Sequence, residues 1–287
     1  MRLSTRAASL LCAAAILLPL GAGAATKAKT IRLRDVVKII QSNQKPLAFE
    51  GTIATTQGKN KGTVTIKGTQ NGEMDSLEDA AVQMTIDVAA TFEGEKVGAF
   101  LDVRVVDAML YARLTKVTAT GDMKELAAAV EPFVNTWVEM PLDADDFEES
   151  TGSKPPSLAK FEQYFSIVKT SKNGVNSYAV TIPKEKQRRF LTAVMGVAEG
   201  YDSSYRAILR RSVRSTTIDF SMTVDERAGL FQALASKIGV KTTMDGQKGT
   251  FSFTGKTTAL ATAPTIQAPG ESVTLDELFD SGGGWEE

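Results

Sequence analysis

The sequence predicts an α+β fold in which amphipathic helices pack on the apolar face of an antiparallel sheet. Two observations predict it. Many segments alternate apolar and polar residues, as strands with one buried face do, and short polar turns join them. Several other segments repeat apolar residues at helical spacing and therefore carry an apolar stripe that has to be buried. Helices packed on the apolar face of the sheet satisfy both needs.

The first half of the chain reads as a helix followed by long strands. Apolar residues recur at helical spacing over 33–44, and Pro46 follows the end of that pattern. The segment 102–114 (DVRVVDAMLYARL) reads as a hairpin that turns at Asp107 and Ala108, with apolar residues on one face of both strands. Alternation also predicts strands over 47–53, 64–66, 82–92 and 97–105.

The middle of the chain interrupts the sheet. Residues 122–130 (DMKELAAAV) read as a helix capped by Asp122, and 137–141 (WVEMP) reads as a short strand. The segment 143–156 is rich in acidic residues, Ser, Gly and Pro, which is typical of a loop between two halves of a domain. Its acidic residues would also suit a calcium loop, but the Asp-x-Asp-x-Asp-Gly spacing is absent.

The second half repeats this plan. Residues 157–169 predict an amphipathic helix, and Pro183 opens a second helix at its first turn. The segment 230–243 fits both periods, and the hairpin-like turn before it favours a strand. A Pro-containing coil leads to a short helix over 274–279, and the tail 281–287 is expected to be flexible. Alternation predicts further strands over 178–182, 217–224 and 251–258.

Residues 1–24 are predicted to be a secretory signal peptide. Two arginines start the segment, residues 7–18 are apolar, and a small-residue cleavage site follows at 22–24. The apolar stretch is shorter than the about 20 residues of a membrane span, which disfavours an N-terminal anchor. The bulky Leu11 disfavours lipidation at Cys12. We therefore expect an exported protein, periplasmic or extracellular and associated with the cell envelope.

Two absences narrow the possible chemistry. The chain has no histidine, and its one cysteine, Cys12, lies in the predicted signal peptide. This excludes a histidine-based triad, a cysteine nucleophile, a disulfide, and a zinc site with His or Cys ligands in the exported chain. Carboxylates such as Asp102 and Asp107, or a Ser–Lys pair, would remain for an enzyme, but no specific motif for either is present. We expect no enzyme activity, no cofactor and no metal.

The charge of the chain bears on its partners. A formal net charge of −1 at pH 7 shows none of the basic excess that is typical of nucleic-acid binding. We therefore expect no nucleic acid as a partner.

Four features occur in order along residues 31–279. They are the N-terminal helix LRDVVKII, the hairpin 102–114 with Tyr111 in its second strand, the TWVEMP strand with Trp137, and the Pro-containing coil before VTLDELF. This order resembles the LolA/LppX-like superfamily of exported lipid and lipoprotein carriers, which includes the LolA lipoprotein chaperone and the mycobacterial LppX and LprG group.

The resemblance implies a more detailed fold and a class of partner. The sheet would be strongly curved into a half-barrel, with helices packed on its concave apolar face and residues 25–280 forming one domain. The partner would be a lipid or an acylated protein. The mycobacterial members are usually anchored through a cysteine at their mature start, and the predicted mature start of this chain has none.

The apolar face of such a sheet would line a hollow. An acyl chain bound there would gain about 0.8 kcal/mol per buried methylene without any directed bond. The alternative is that the same side chains pack against the helices as an ordinary core. The predicted lining residues are Val82, Met84, Ile86, Val88, Phe92, Ile218, Phe220, Met222, Val224, Phe251 and Phe253.

A series of arginines is the second candidate site. Arg206, Arg210 and Arg214 recur every four residues and form one stripe if 203–214 is helical. Such a stripe suits an anionic lipid headgroup or an anionic membrane surface. The alternative is a solvated helix face that nearby acidic residues balance.

These observations leave several hypotheses open. The first is an exported, non-catalytic and monomeric carrier that binds a lipid, an acyl chain or a lipoprotein in an apolar hollow. The alternative is a structural or protein-binding module of the cell envelope that uses the same fold as a scaffold. A hydrolase based on carboxylates is the third.

Overall fold

A computed structural model describes residues 31–43, 45–71, 81–142, 160–197, 213–244 and 247–281. The predicted signal peptide, the predicted loop 143–156 and residues 282–287 of the predicted tail lie outside these ranges. Within the ranges, no helix is both long enough and apolar enough to cross a membrane.

The described residues form an α+β fold with twelve strands. In chain order these are β1 (Leu47–Gln57), β2 (Asn60–Asn71), β3 (Ala81–Phe92), β4 (Glu95–Val106), β5 (Met109–Ala119), β6 (Trp137–Pro141), β7 (Ser166–Lys172), β8 (Val175–Thr181), β9 (Thr217–Arg227), β10 (Leu230–Met244), β11 (Gln247–Ala259) and β12 (Val273–Thr274). The helices are α1 (Leu33–Gln41), α2 (Met123–Val130), α3 (Lys184–Val197) and α4 (Leu275–Ser281). The prediction of an α+β fold built on antiparallel strands is confirmed.

The chain forms two compact units. The first contains α1, α3 and four strands, in the order β10-β9-β8-β7. The second contains α2, α4 and eight strands, in the order β12-β6-β5-β4-β3-β2-β1-β11. Pairing within each unit is antiparallel except between β12 and β6, which run parallel. That residues 25–280 form one domain stays a prediction.

The core of the first unit lies between its helices and one face of its strands. Val36 and Val37 of α1 are 0% and 4% exposed, and α1 contacts β9 and β10. On β9, the alternate residues Ile218, Met222 and Val224 are buried as well. Helical spacing on α1 and alternation on β9 thus bury complementary apolar faces.

One predicted helix is wrong. Over the described part of 157–169 the chain forms a 3-10 turn at Glu162–Tyr164 and then enters β7. The strand pairs with β8 through a two-residue turn at Asn173 and Gly174, both with positive φ. An Asn-Gly pair is the strongest short-range hairpin signal. Pairing of the two strands joined by this turn provides the backbone hydrogen bonds that a helix would otherwise have formed.

The predicted strong curvature is not observed either. Within each unit the strands form an open sheet that is not strongly curled. Strong bending needs bulges or glycine kinks repeated along the strands. Among the strand pairs whose register is described, only β4–β5 and β9–β10 contain a register shift.

A buried carboxylate lies at the turn end of β9 in the first unit. Glu226 is 7% exposed. Its Oε2 accepts a hydrogen bond of 2.7 Å from the Tyr178 hydroxyl, and its Oε1 accepts one of 2.8 Å from Asn176 Nδ2. The backbone N–H of Gly229 also donates to Oε1, at 3.3 Å. The carboxylate therefore fastens β8 to the β9–β10 turn.

These contacts shift two pKa values in opposite directions. Burial by itself would raise the pKa of Glu226, but the hydrogen bonds from Tyr178, Asn176 and Gly229 and the charge of Lys169 outweigh it and lower that pKa. Burial and the neighbouring carboxylate raise the pKa of Tyr178 to about 12. The charged Glu226 and the neutral Tyr178 are thus the states that the fold stabilises.

The first prediction concerns stability against acid. Because the pKa of Glu226 is lower in the folded state, its contribution is present above the ordinary glutamate value of 4.5 and is lost as the pH falls below it. Tyr178→Phe removes one hydrogen bond to a carboxylate and is expected to cost about 1–3 kcal/mol at neutral pH. Its stability should also fall less between pH 7 and pH 3 than that of the wild type. Urea unfolding at each pH measures both effects.

Tyr164→Phe is the matched control, because no hydrogen bond from the Tyr164 hydroxyl is found within the described residues. It should change neither quantity. An equal loss of pH dependence in both variants would contradict the role assigned to Glu226.

Candidate functional site

In the second unit, one face of β1 to β5 and β11 is apolar from strand to strand. Residues that lie opposite each other in an antiparallel pair share a face. One row across the six strands consists of Phe253, Ile53, Val64, Val88, Ala99 and Val117. The neighbouring rows add Phe49, Ile66, Met84, Ile86, Leu101, Val103 and Leu114. We call this surface the apolar face of the second unit.

A bulge keeps β5 on this surface. Leu114 lies opposite Leu101 and Lys116 opposite Phe100, so Thr115 is an extra residue in β5. Without it, the sequence beyond Leu114 would turn its apolar residues to the other side of the sheet. With it, Val117 again shares the face of Leu114.

Two aromatic rings lie over glycines on the same surface. A Cβ atom on Gly68 would come within 2.6 Å of the Phe49 ring, and one on Gly51 within 3.5 Å of the Phe253 ring. Gly68 therefore lets the Phe49 ring approach the backbone, an arrangement known as aromatic rescue of glycine, whereas the distance at Gly51 is that of an ordinary contact.

The apolar face is only partly removed from water. Val82, Val103 and Phe251 are less than 9% exposed, and they are the buried apolar side chains of the second unit within the described ranges. The other predicted lining residues of the second unit are half-buried. They are Met84, Ile86, Val88, Phe92 and Phe253. The surface is thus available for contact in a way that a closed core is not.

The remaining predicted lining residues belong to the first unit. Ile218, Met222 and Val224 are buried on β9, whose strand contacts α1 and α3. Phe220 is half-buried, and its ring contacts that of Phe165 at 5.4 Å. Core packing accounts for these four positions. The predicted lining residues therefore divide between the two units.

The predicted arginine stripe is described only at its end. Arg214 is exposed and lies in the helical segment 213–215. Arg206 and Arg210 lie outside the described residues, so the stripe stays a prediction.

The opposite face of the second unit is polar and carries ionic contacts. Asp102 and Arg113 lie opposite each other on β4 and β5 and form an ion pair of 2.5 Å. The Arg113 and Arg104 guanidinium carbons lie 4.6 Å and 4.9 Å from the centre of the Trp137 ring. The sequence reasoning above missed this cluster, although the alternation that predicts the apolar face also places these residues opposite it.

The two carboxylates considered for a hydrolase are not paired. Asp102 lies in β4 and forms an ion pair with Arg113 of β5, whereas Asp107 lies in the turn after β4 with a φ of 52°. Five residues of extended chain separate them by roughly 15 Å. Paired catalytic carboxylates lie about 5–9.5 Å apart.

A segment without regular secondary structure, residues 260–272, is fastened beside the polar face. The Leu260 backbone N–H donates to the carbonyl of Pro46, Asn71 Nδ2 to that of Pro264, and Arg104 Nη1 to that of Gln267, at 2.6–2.9 Å. At its end, the Ser272 hydroxyl donates to Glu139 at 2.5 Å. Asn71, Arg104 and Glu139 all project from the polar face, so the segment leaves the apolar face uncovered.

A groove of about 580 Å³ lies where this segment meets β6. Its lining combines polar and apolar side chains. The lining residues are Asn135, Thr136, Trp137, Gly270, Glu271, Ser272 and Val273.

No protein-family model matches the chain, and a search of curated proteins found no match. No group of three or more potential metal ligands is found in the part of the chain that the structure describes. The candidate site therefore rests on the geometry of the apolar face alone.

The second prediction separates this face from a closed core. Val88 on β3 is half-buried, whereas Val224 on β9 is fully buried. Val→Thr keeps the shape of the side chain but replaces one methyl group by a hydroxyl, whose burial without a partner costs about 1–3 kcal/mol. Val224→Thr should lower the free energy of unfolding by that amount, and Val88→Thr by less than half of it. Equal losses in chemical unfolding would contradict the contrast between the two units.

Proposed function

We propose that this protein is an exported, non-catalytic carrier that binds the acyl chain of a lipid or lipoprotein on the apolar face of the second unit. The observation that supports this proposal is a continuous apolar surface of six strands that stays partly exposed. A surface of this kind is unusual on a soluble monomer and typically contacts a ligand, a membrane or another protein. We expect the protein to act as a monomer.

The chemistry of the surface suits a flexible apolar ligand. Met84 can adapt to irregular shapes because its side chain is unbranched and flexible. The rings of Phe49 and Phe253 offer broad apolar contact close to the backbone. Each buried methylene contributes about 0.8 kcal/mol, so a long chain could bind tightly without a directed bond.

Two sequence features support export and the carrier role. The predicted signal peptide at residues 1–24 would place the protein in the periplasm or outside the cell. The resemblance to the LolA/LppX-like carriers favours a lipid or acylated protein over other apolar ligands. The strong curvature that this resemblance implied is not part of the proposal.

The third prediction tests the face with a matched pair of variants. Met84 and Gln83 are neighbours on β3 that project from opposite faces. Met84→Glu puts a charge into the proposed contact surface and should weaken binding of the fluorescent fatty acid cis-parinaric acid at least tenfold, because a charge on an apolar surface is costly to desolvate. Gln83→Glu adds the same charge on the exposed polar face and should leave binding within twofold of the wild type.

Mass spectrometry of organic extracts from the natively purified protein completes the test. A bound lipid together with selective loss in Met84→Glu supports the carrier. A protein that is free of lipid and binds no fatty acid would overturn it and favour the alternative, a structural or protein-binding module of the cell envelope.

A further inference from the structure

A second groove lies in the first unit, between α3 and the 3-10 turn at Glu162–Tyr164. Its volume is about 490 Å³. The side chains around it come from the first three turns of the helix and from the turn facing them. The lining residues are Tyr164, Glu185, Arg188, Arg189, Thr192 and Ala193.

The two walls of this groove are fastened to each other. Lys186 Nζ of α3 donates to the carbonyl of Gln163 at 2.8 Å. The ring of Phe190, also on α3, makes an edge contact with the Tyr164 ring, at 5.9 Å between centroids. The rings of Phe161 and Phe165 contact Phe190 in the same way, at 6.0 Å and 5.6 Å. The groove is therefore formed before any ligand binds.

Among the described residues, basic side chains outnumber acidic ones at this groove. The start of α3, KEKQRR, holds four basic residues and one acidic residue. Within the described residues, neither Arg188 nor Arg189 forms an ion pair or a side-chain hydrogen bond. Glu185 lines the same groove but lies beyond ion-pair distance of both arginines. Two exposed guanidinium groups thus share one concave surface.

We infer that this groove binds a phosphate group, supplied either by free phosphate or by a lipid headgroup. A guanidinium presents paired N–H donors that match the oxygens of a phosphate, and both Arg188 and Arg189 line the groove. Tyr164 lines the opposite wall, and a tyrosine hydroxyl can donate a further hydrogen bond. A carboxylate, with fewer oxygens, would use fewer of these donors.

This inference does not depend on the proposed function, since the groove belongs to the other unit. The protein could bind fatty acid without binding phosphate, or phosphate without fatty acid. The phosphate assays contain no fatty acid, so a failure to bind phosphate is distinguishable from a failure to bind fatty acid.

The fourth prediction concerns phosphate binding by the full exported chain. Titration calorimetry with inorganic phosphate tests the free anion, and flotation with phosphatidylcholine vesicles, with and without phosphatidylglycerol, tests the headgroup. Arg188→Gln with Arg189→Gln should weaken whichever interaction the wild type shows at least tenfold. Replacing both arginines by lysine keeps the charge but not the paired donors, and should give an intermediate loss. Thermal unfolding checks that each variant is folded.

A second double variant controls for charge. Lys172→Gln with Lys237→Gln removes two exposed positive charges from β7 and β10 of the same unit and should stay within twofold of the wild type. Saturable binding of inorganic phosphate identifies the free anion as a ligand. Binding to the vesicles that contain phosphatidylglycerol, without binding of inorganic phosphate, identifies the lipid headgroup. Equal weakening by the two glutamine variants, or no binding of either probe by the wild type, would overturn the inference.

Discussion

The removal of apolar sheet faces from water is the constraint on which both units depend. Alternating strands give each unit one apolar face, and the hydrophobic effect favours covering it. In the first unit α1 and α3 contact β9, and the side chains of that face are buried. In the second unit α2 contacts β4 and β5, and Val82, Val103 and Phe251 are buried, but the other apolar side chains of the corresponding face are only half-buried. The same sequence pattern therefore yields a core in one place and a candidate binding surface in the other.

The ionic contacts of the second unit lie on the face opposite its apolar rows. The ion pair of Asp102 with Arg113 and the ring of Trp137 lie on the opposite face, as do the side chains that hold segment 260–272. In the first unit the buried carboxylate of Glu226 has three hydrogen-bond donors, which offset the cost of its burial. The ionic contacts and the apolar surface of the second unit thus lie on opposite faces, and the buried carboxylate lies in the first unit.

Sequence reasoning predicted which residues of a strand belong together more reliably than it predicted their surroundings. It grouped Val82, Met84, Ile86, Val88 and Phe92 on one face of β3, and the register confirms that grouping. It took 157–169 for a helix because Leu158, Phe161, Phe165 and Val168 recur at helical spacing, whereas the structure places the end of this segment in β7. It also placed β9 residues with those of β3 in a single lining, although the structure puts them in different units.

Apart from the helix predicted over 157–169, the sequence by itself determined the type of the described helices and strands and the side chains that share a face, because helix and strand periods follow from local backbone geometry. Only the tertiary structure decided how far each face is buried and how open the sheet is. Burial depends on helices brought from distant parts of the chain, and curvature depends on bulges such as the one at Thr115, which appear only when two strands are aligned. Local periodicity contains neither kind of information.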